Sequence, residues 1–448
     1  MAATDSATPE TTAQAAPGAG ASAPHATHSV WRWIPTLYFG QGIPYVAVMT
    51  LSVILYKNLG VSNTDIALYT SWLYLPWVVK PLWSPLVELL QKKRWWIVAL
   101  QLVVGATLAA VALTLPTSRM PQLSLALFWL LALASATHDI AADGFYMLAL
   151  RQDQQAAFVG VRSLFYRVAM ISGQGGLVWA AGLLAERHGS VVLAWQVVFG
   201  LLALLFVLLA LWHQALLPRP EGDRRSAIAQ GLWAGFAETF ASFFRRRDIV
   251  TVLAFLMLYR LGEAQLVKLV APFLLDARAQ GGLGLTTAQL GLVYGSVGVA
   301  ALTAGGLLGG WVISRQGLAR WLWPMVAAIH LPNLLFVALA AWQPPSPLLV
   351  TAAVAAEQFG YGFGFAAYLM VMIWVADGPA KTAHYALCTG FMALGMMLPG
   401  MVSGWLQQQL GYPLFFAWVC LCTLPSVAVA ARLRIPPAFG RKADEAQA

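Results

Sequence analysis

Charge is what this sequence has least of. Asp, Glu, Lys and Arg together make up 10% of its 448 residues, against roughly 25% in a soluble domain. With 59% hydrophobic residues and a mean hydropathy of +0.69, that scarcity excludes a soluble globular chain and leaves an integral membrane protein. Cysteine is nearly absent too. Cys388, Cys420 and Cys422 all lie in apolar stretches, where small buried side chains are the simpler reading than metal or redox chemistry. The first thirty residues hold no Lys or Arg and no apolar core, which excludes a signal peptide. Their Ala/Pro/Thr/Gly mixture predicts a disordered tail over residues 1–30. There is no GxxxxGKS phosphate loop for an ATP motor, no HExxH and no GxSxG. No cofactor or metal is implied.

What is there is a series of apolar runs. A span needs about 20 mostly apolar residues, and about twelve such helices can be placed. They cover 31–56, 64–84, 95–115, 123–148, 156–185, 193–217, 249–275, 288–313, 321–341, 347–375, 382–408 and 412–432. The fold class is therefore all-α integral membrane, in two six-helix bundles over 31–217 and 249–432. The formal net charge of +9 does not point to nucleic acid, because the bases fall between apolar spans rather than in a soluble patch. Of 27 Lys and Arg, eighteen fall on the side of the N-terminus, including Lys92–Arg94, Arg245–Arg247 and Arg432–Arg434, and four on the other. The positive-inside rule then predicts both termini in the cytoplasm. Residues 218–248 form the longest polar connection. Ile228, Leu232, Phe236, Phe240, Phe243 and Phe244 recur there at helical spacing, which predicts an amphipathic linker helix resting at the lipid headgroups. Residues 433–448 form a second cytoplasmic tail.

The two halves share a plan. "YFGQG" sets Gln41 in the first span and "YRLGEA" sets Glu263 in the seventh, 222 residues later. Gly182 precedes Gly189 in the fifth span as Gly404 precedes Gly411 in the eleventh, and the leading glycines are again 222 apart. Paired bundles of this kind point to a transporter rather than a channel or a membrane enzyme.

The remaining five bases, Lys80, Arg162, Arg167, Arg260 and Lys268, lie inside spans, with Asp139, Asp143, Glu263 and Glu357 at comparable depth. Ionised groups at that depth must face water or one another. Asp139 and Asp143 are four apart and share a helical face, which Lys80 and Arg162 could approach as a salt-bridge cluster. Arg260 and Glu263, three apart, can pair on one face. Glu357 has no base nearby in sequence. Burial disfavours an ionised carboxylate, so Glu263 and Glu357, with Asp139, are the proton-coupling candidates. Five bases against four acids suggest an anionic or zwitterionic solute. Trp72, Trp77, Trp179 and Trp374 could offer stacking faces, though packing and interfacial anchoring are the commoner uses. His138, beside Asp139, could hydrogen-bond a neighbouring helix or act with Asp139 as the acid–base pair of a membrane-embedded enzyme.

"GWVISRQGLAR" (Gly310 to Arg320) resembles the G-x-x-x-D-R-x-G-x-x-R loop of the major facilitator superfamily, with Ser314 in place of the acid. In the first half Glu88 of "SPLVELLQKKR" would carry that charge. "ATHDIAADG", "KPLWSPLVE", "YRLGEA" and the region from "KTAHYALCTGFMAL" through "PGMVSGWLQQQLGYPLFF" resemble AmpG-type permeases, which belong to a wider group that includes acetyl-coenzyme A transporters. The resemblance covers nearly all of the twelve spans. It implies proton-coupled import of anhydro-muropeptides through a bacterial cytoplasmic membrane by a single chain acting alone. It also implies that Asp139, Arg260, Glu263 and Lys80 occupy the family's charged positions. His138 stands where the family has Gln, and Glu88 where it has Asp. The expected substrate contacts are Gln41, Asp139, Arg162, Arg167 and Arg260. Lys80, Glu88 and Asp143 are the expected gate, and acetyl-coenzyme A or another organic anion is the rival solute.

Overall fold

Hydrocarbon offers no partner for a backbone N–H or C=O, so apolar spans satisfy both within helices. The computed structural model describes residues 30–150, 152–220, 223, 232–377 and 381–441. Among these residues there is no strand. The spans are α1 (Ile34–Asn58), α2 (63–90), α3 (Lys93–Thr114), α4 (Met120–Ala149), α5 (152–188) and α6 (Val191–Leu216). The second set is α7 (Ile249–Leu275), α8 (Thr287–Gln316), α9 (Leu318–Trp342), α10 (Pro347–Ala376), α11 (381–410) and α12 (412–430).

Ten described helices are long and apolar enough to cross a membrane; the twelve spans add α2, whose run carries Asp65, Lys80, Glu88 and three prolines, and count α11 and α12 separately. α2 is interrupted at Leu73-Tyr74, just ahead of Pro76, into Asn63–Trp72 and Leu75–Leu90. α11 and α12 run on without a loop, bent at Gly411, whose φ of 71° suits glycine and few other residues. α7 is also broken, at Tyr259-Arg260, and α9 at Leu331-Pro332. Wide π-type turns occur at Ala47–Leu51 in α1, Ser172–Leu177 in α5 and Gly291–Gly298 in α8. The linker helix spans Leu232–Phe244, and Ile228 lies outside the described residues. It does more than rest on lipid: Phe243 is fully buried, stacked on Phe391 of α11, while Phe244 is half exposed.

The apolar packing divides unevenly. Near the Lys57 end, one core takes residues from both halves, from Ile54, Ile66 and Phe128 to Leu269, Phe273 and Phe416. Near the other end each half has its own, around Phe145 and Ile97 in the first and around Phe255 and Met325 in the second. The halves thus share one apolar core at one end and keep separate cores at the other.

Glycines make the joint. A Cβ on Gly182 of α5 would sit 2.2 Å from the backbone nitrogen of Ala288 at the start of α8, and one on Gly404 of α11 would sit 2.1 Å from the carbonyl of Asn63 at the start of α2. The two glycines related by the 222-residue repeat therefore do the same work on opposite sides of the molecule. Each lets the first turn of a helix from the other half come into backbone contact.

The first half carries a polar strut through its interior. Gln101 of α3 bonds His138 of α4 (3.2 Å) and His213 of α6 (2.9 Å), and His213 bonds Thr36 of α1 (3.0 Å). Four helices are pinned by one chain of buried groups. Removing its centre would leave the His138 imidazole without a partner and His213 with Thr36 alone, at roughly 1–3 kcal/mol for a stranded group. Gln101→Leu is therefore expected to lower the thermal unfolding midpoint in detergent by several degrees, while Thr107→Ala, which deletes only a hydroxyl bonded within α3, leaves it within about one degree.

Candidate functional site

A cavity of about 550 Å³ lies between the halves, inside the range of roughly 300–1,000 Å³ that holds small-molecule ligands. α2, α4 and α5 contribute Lys80, Asp139 and Arg167; α7 contributes Arg260 and Lys268. Four bases thus face one carboxylate. Tyr45, Tyr74, Trp77, Tyr166, Tyr361 and Phe365 supply aromatic wall. Of the four tryptophans considered from sequence, only Trp77 lines the cavity. Its indole N–H donates to Asp139 Oδ2 (3.2 Å), and its ring meets Tyr45 edge-on at 5.4 Å. Trp72 and Trp179 are exposed outward, and Trp374 packs against the second half's own core.

Asp139 is the centre of the first half's contribution. Its Oδ1 is buried without a partner, and Lys80 is within electrostatic reach across the cavity wall. Gln41 is buried beside it, its Oε1 unpartnered. His138 points the other way, into the Gln101 strut, so it forms no acid–base pair with Asp139. The expected four-membered cluster of Asp139, Asp143, Lys80 and Arg162 is not one unit. Arg162 pairs with Asp143 at 3.0 Å and lies over the Tyr38 ring at 4.6 Å, outside the cavity lining, whereas Lys80 turns to the cavity. With side-chain exposures of 34% and 40%, the Arg162–Asp143 pair is too wet to add much stability. The side chain of Glu88 lies outside the described residues.

Arg167 crosses the cavity, donating to Thr303 of α8 (3.3 Å). Arg260 does not pair with Glu263 as the three-residue spacing suggests. The i, i+3 relation holds only along an unbroken helix, and α7 breaks at Arg260 itself (φ −109°, ψ 22°). Its guanidinium instead hydrogen-bonds the Tyr361 hydroxyl and lies over the rings of Phe365 (4.7 Å) and Tyr361 (5.1 Å). Cation–π stacking keeps it charged and aimed at the cavity.

Glu263 and Glu357 do not line the cavity. Both are buried in the second half, 1% and 2% exposed, within electrostatic reach of one another. Gln358 donates to Glu357 Oε2 (2.9 Å), while Glu357 Oε1 and Glu263 Oε2 have no partner. No described base forms an ion pair with either. A carboxylate pair thus lies behind the wall formed by Tyr294 and Tyr361, apart from the solute-sized space.

The joined end is sealed by polar groups that sequence reasoning passed over. Asp276, at the end of α7, takes an ion pair from Lys57 and hydrogen bonds from Tyr412 (2.6 Å) and Asn63 (3.3 Å). Asn63 also donates to Gln407 (2.9 Å), and Asn58 to Thr287 (2.8 Å). Contacts Lys57–Asp276, Asn63–Gln407 and Asn58–Thr287 each cross from one half to the other. Gly404 and Gly411, marked by the 222-residue repeat, bracket Gln407 in this seal.

The arrangement has known relatives. The chain is 25% identical over 403 residues to the anhydromuropeptide permease of Escherichia coli strain K12, covering 87% of this chain and 77% of that protein. It is 27% identical over 404 residues to AmpG 4 of Rickettsia conorii, covering 87% and 92%. Among solved structures, the nucleoside transporter NupG matches with a TM-score of 0.64 at 17% identity, over 91% of this chain and 98% of that one. A bacterial homologue of the human peptide transporters PepT1 and PepT2 matches at 0.62 and 13%, over 91% and 98%. These establish the expected fold, a multi-pass major facilitator bundle of two related halves. The BT1 family profile matches residues 41–276, more than half of the chain, and this protein belongs to the BT1 family.

Proposed function

We propose that the protein is a secondary transporter that imports anhydro-muropeptides by alternating access, driven by protons, through a bacterial cytoplasmic membrane. The observation that carries the reading is the charge of the cavity: Lys80, Arg167, Arg260 and Lys268 against Asp139 alone. A solute with several carboxylates and an apolar or sugar face complements that wall. The distribution of surface bases supports an orientation with the sealed Lys57 end outside and both termini inside; in that orientation this conformation opens towards the cytoplasm. Asp139, Arg167, Arg260 and Lys80 contact the solute in this reading. Glu263 and Glu357 handle the proton, and Asp143 with Arg162 belongs to the gate at the cytoplasmic end. With His138 committed to Gln101, a membrane-embedded enzyme has no acid–base pair.

Uptake into proteoliposomes tests this. Labelled anhydro-muropeptide is expected to accumulate when the interior is alkaline and only to equilibrate when the gradient is collapsed. Accumulation of acetyl-coenzyme A with no uptake of muropeptide would transfer the reading to the organic-anion alternative. No movement of either would overturn it.

A further inference from the structure

Lys268 has a position unlike that of the other cavity bases. It sits on α7, 2% exposed, yet on the cavity wall. Its Nζ donates to Thr70 Oγ1 of α2 at 3.0 Å and lies 4.9 Å from the centre of the Tyr74 ring. Both partners are neutral and both belong to the opposite half. An ammonium has three donors, and one is used. Among the described residues no carboxylate reaches it, although a buried cation needs a counter-charge to be tolerated. Arg260, also on the cavity wall, is itself a cation and supplies none. Asp139, the lone cavity acid, accepts from Trp77 and faces Lys80 instead.

We propose that Lys268 is the specificity-determining cation for a carboxylate of the solute. The solute's peptide carboxylate would supply the anion missing from this wall, in contact with a side chain that already ties α7 to α2. The inference rests on the muropeptide reading, because it needs a solute with a peptide carboxyl. It differs from that reading in assigning recognition to one buried lysine rather than to the general positive field. Gly400 of α11 is close-packed here: a Cβ on it would lie 2.7 Å from Ser71 Oγ and 3.4 Å from Lys268 Cγ. The stem of the lysine therefore lies close to the α11 backbone at Gly400, and packing there together with the Thr70 bond favours one position for its ammonium.

The test compares two probes in proteoliposomes: an anhydro-muropeptide with free peptide carboxyls, and the same compound with those carboxyls converted to amides. For the unaltered protein the amide is expected to have a KM at least tenfold higher, the usual scale for losing a charge-assisted hydrogen bond. In Lys268→Gln the KM for the free acid should rise by about tenfold to a hundredfold, while that for the amide stays within about twofold. Lys268→Arg, which restores the charge, should recover most of the discrimination. Equal rises for both probes, or unchanged discrimination in Lys268→Gln, would overturn the assignment. If Lys268→Gln does not fold, as judged by gel filtration in detergent, the acid–amide comparison on Lys268→Arg and the unaltered protein decides, and absence of discrimination in both overturns it. Failure of the unaltered protein to carry either probe is a different result, and it overturns the muropeptide reading itself.

Discussion

Gly295→Ala is expected to cut uptake by at least tenfold and to weaken closure of the Lys57 end. The glycine lies in the wide turn of α8, where it meets the matching wide turn of α5. A Cβ there would fall 2.0 Å from the Gln174 carbonyl oxygen, 2.2 Å from its carbon and 2.4 Å from the Gly175 nitrogen. All three are backbone atoms, so no rotamer change makes room. The helices must separate, and overpacking of this kind costs about 1–3 kcal/mol. Charged against one of two conformations, that cost shifts their ratio by roughly five- to 150-fold. Cysteines at Asn58 and Thr287, whose side chains now hydrogen-bond across the halves at 2.8 Å, offer the readout. Disulfide formation between them should be fast in the parent and at least tenfold slower with Gly295→Ala. Gly404→Ala should act alike through α11 and α2. Gly200→Ala is the control, since a Cβ there meets nothing within 4 Å. Parent-like cross-linking and uptake in Gly295→Ala would show that the glycine contact does not set the closed state.

The second large effect is expected from the buried carboxylates. Glu263→Gln and Glu357→Gln should each abolish accumulation above the equilibrium level while sparing solute exchange across the membrane. Two carboxylates within reach of each other, with no base paired to either, cannot both hold a full charge at low dielectric. A proton shared between them is the least costly arrangement. Glutamine keeps the shape and most hydrogen bonding, so Gln358 retains an acceptor, but it cannot take up or release that proton. Gradient-driven uptake and counterflow measured on the same vesicles separate the two functions. If the single variants and the double variant all still concentrate solute against its gradient, the carboxylate pair is not the coupling site.

The sequence carried the architecture because lipid imposes simple rules. Length and apolarity placed the spans, and the 222-residue offset marked Gly182 and Gly404 before their shared task was visible. Charge at depth also picked out Asp139 and Arg260, which do face one cavity. What could not be read was direction around and between helices. Arg260 and Glu263 have the spacing of a pair, but at the Tyr259-Arg260 break the guanidinium goes to Tyr361 and Phe365, leaving Glu263 within its electrostatic reach but without an ion pair. Arg162 was grouped with the solute contacts on depth alone, and its neighbours Tyr38 and Asp143 hold it elsewhere. His138 carried no mark of facing α3 rather than Asp139, because its partners Gln101 and His213 are distant in sequence. Asp276 and Asn63 looked like ordinary loop-edge residues, and only the approach of α11 makes them a seal. The importance of Lys268 depends on what is missing near it, which a linear sequence does not display.

The uneven division of the apolar cores bears on energetics. Parting the sealed end would bring side chains of the core shared by the two halves towards water, while a rocking movement would bring the halves closer at the other end. Apolar area lost from contact at one end costs roughly 25 cal/mol per Å², so such a movement needs new contacts between the facing surfaces of the halves at the other end to offset it. Two conformations offset in this way exchange places under a modest bias, of the size that binding of one solute supplies.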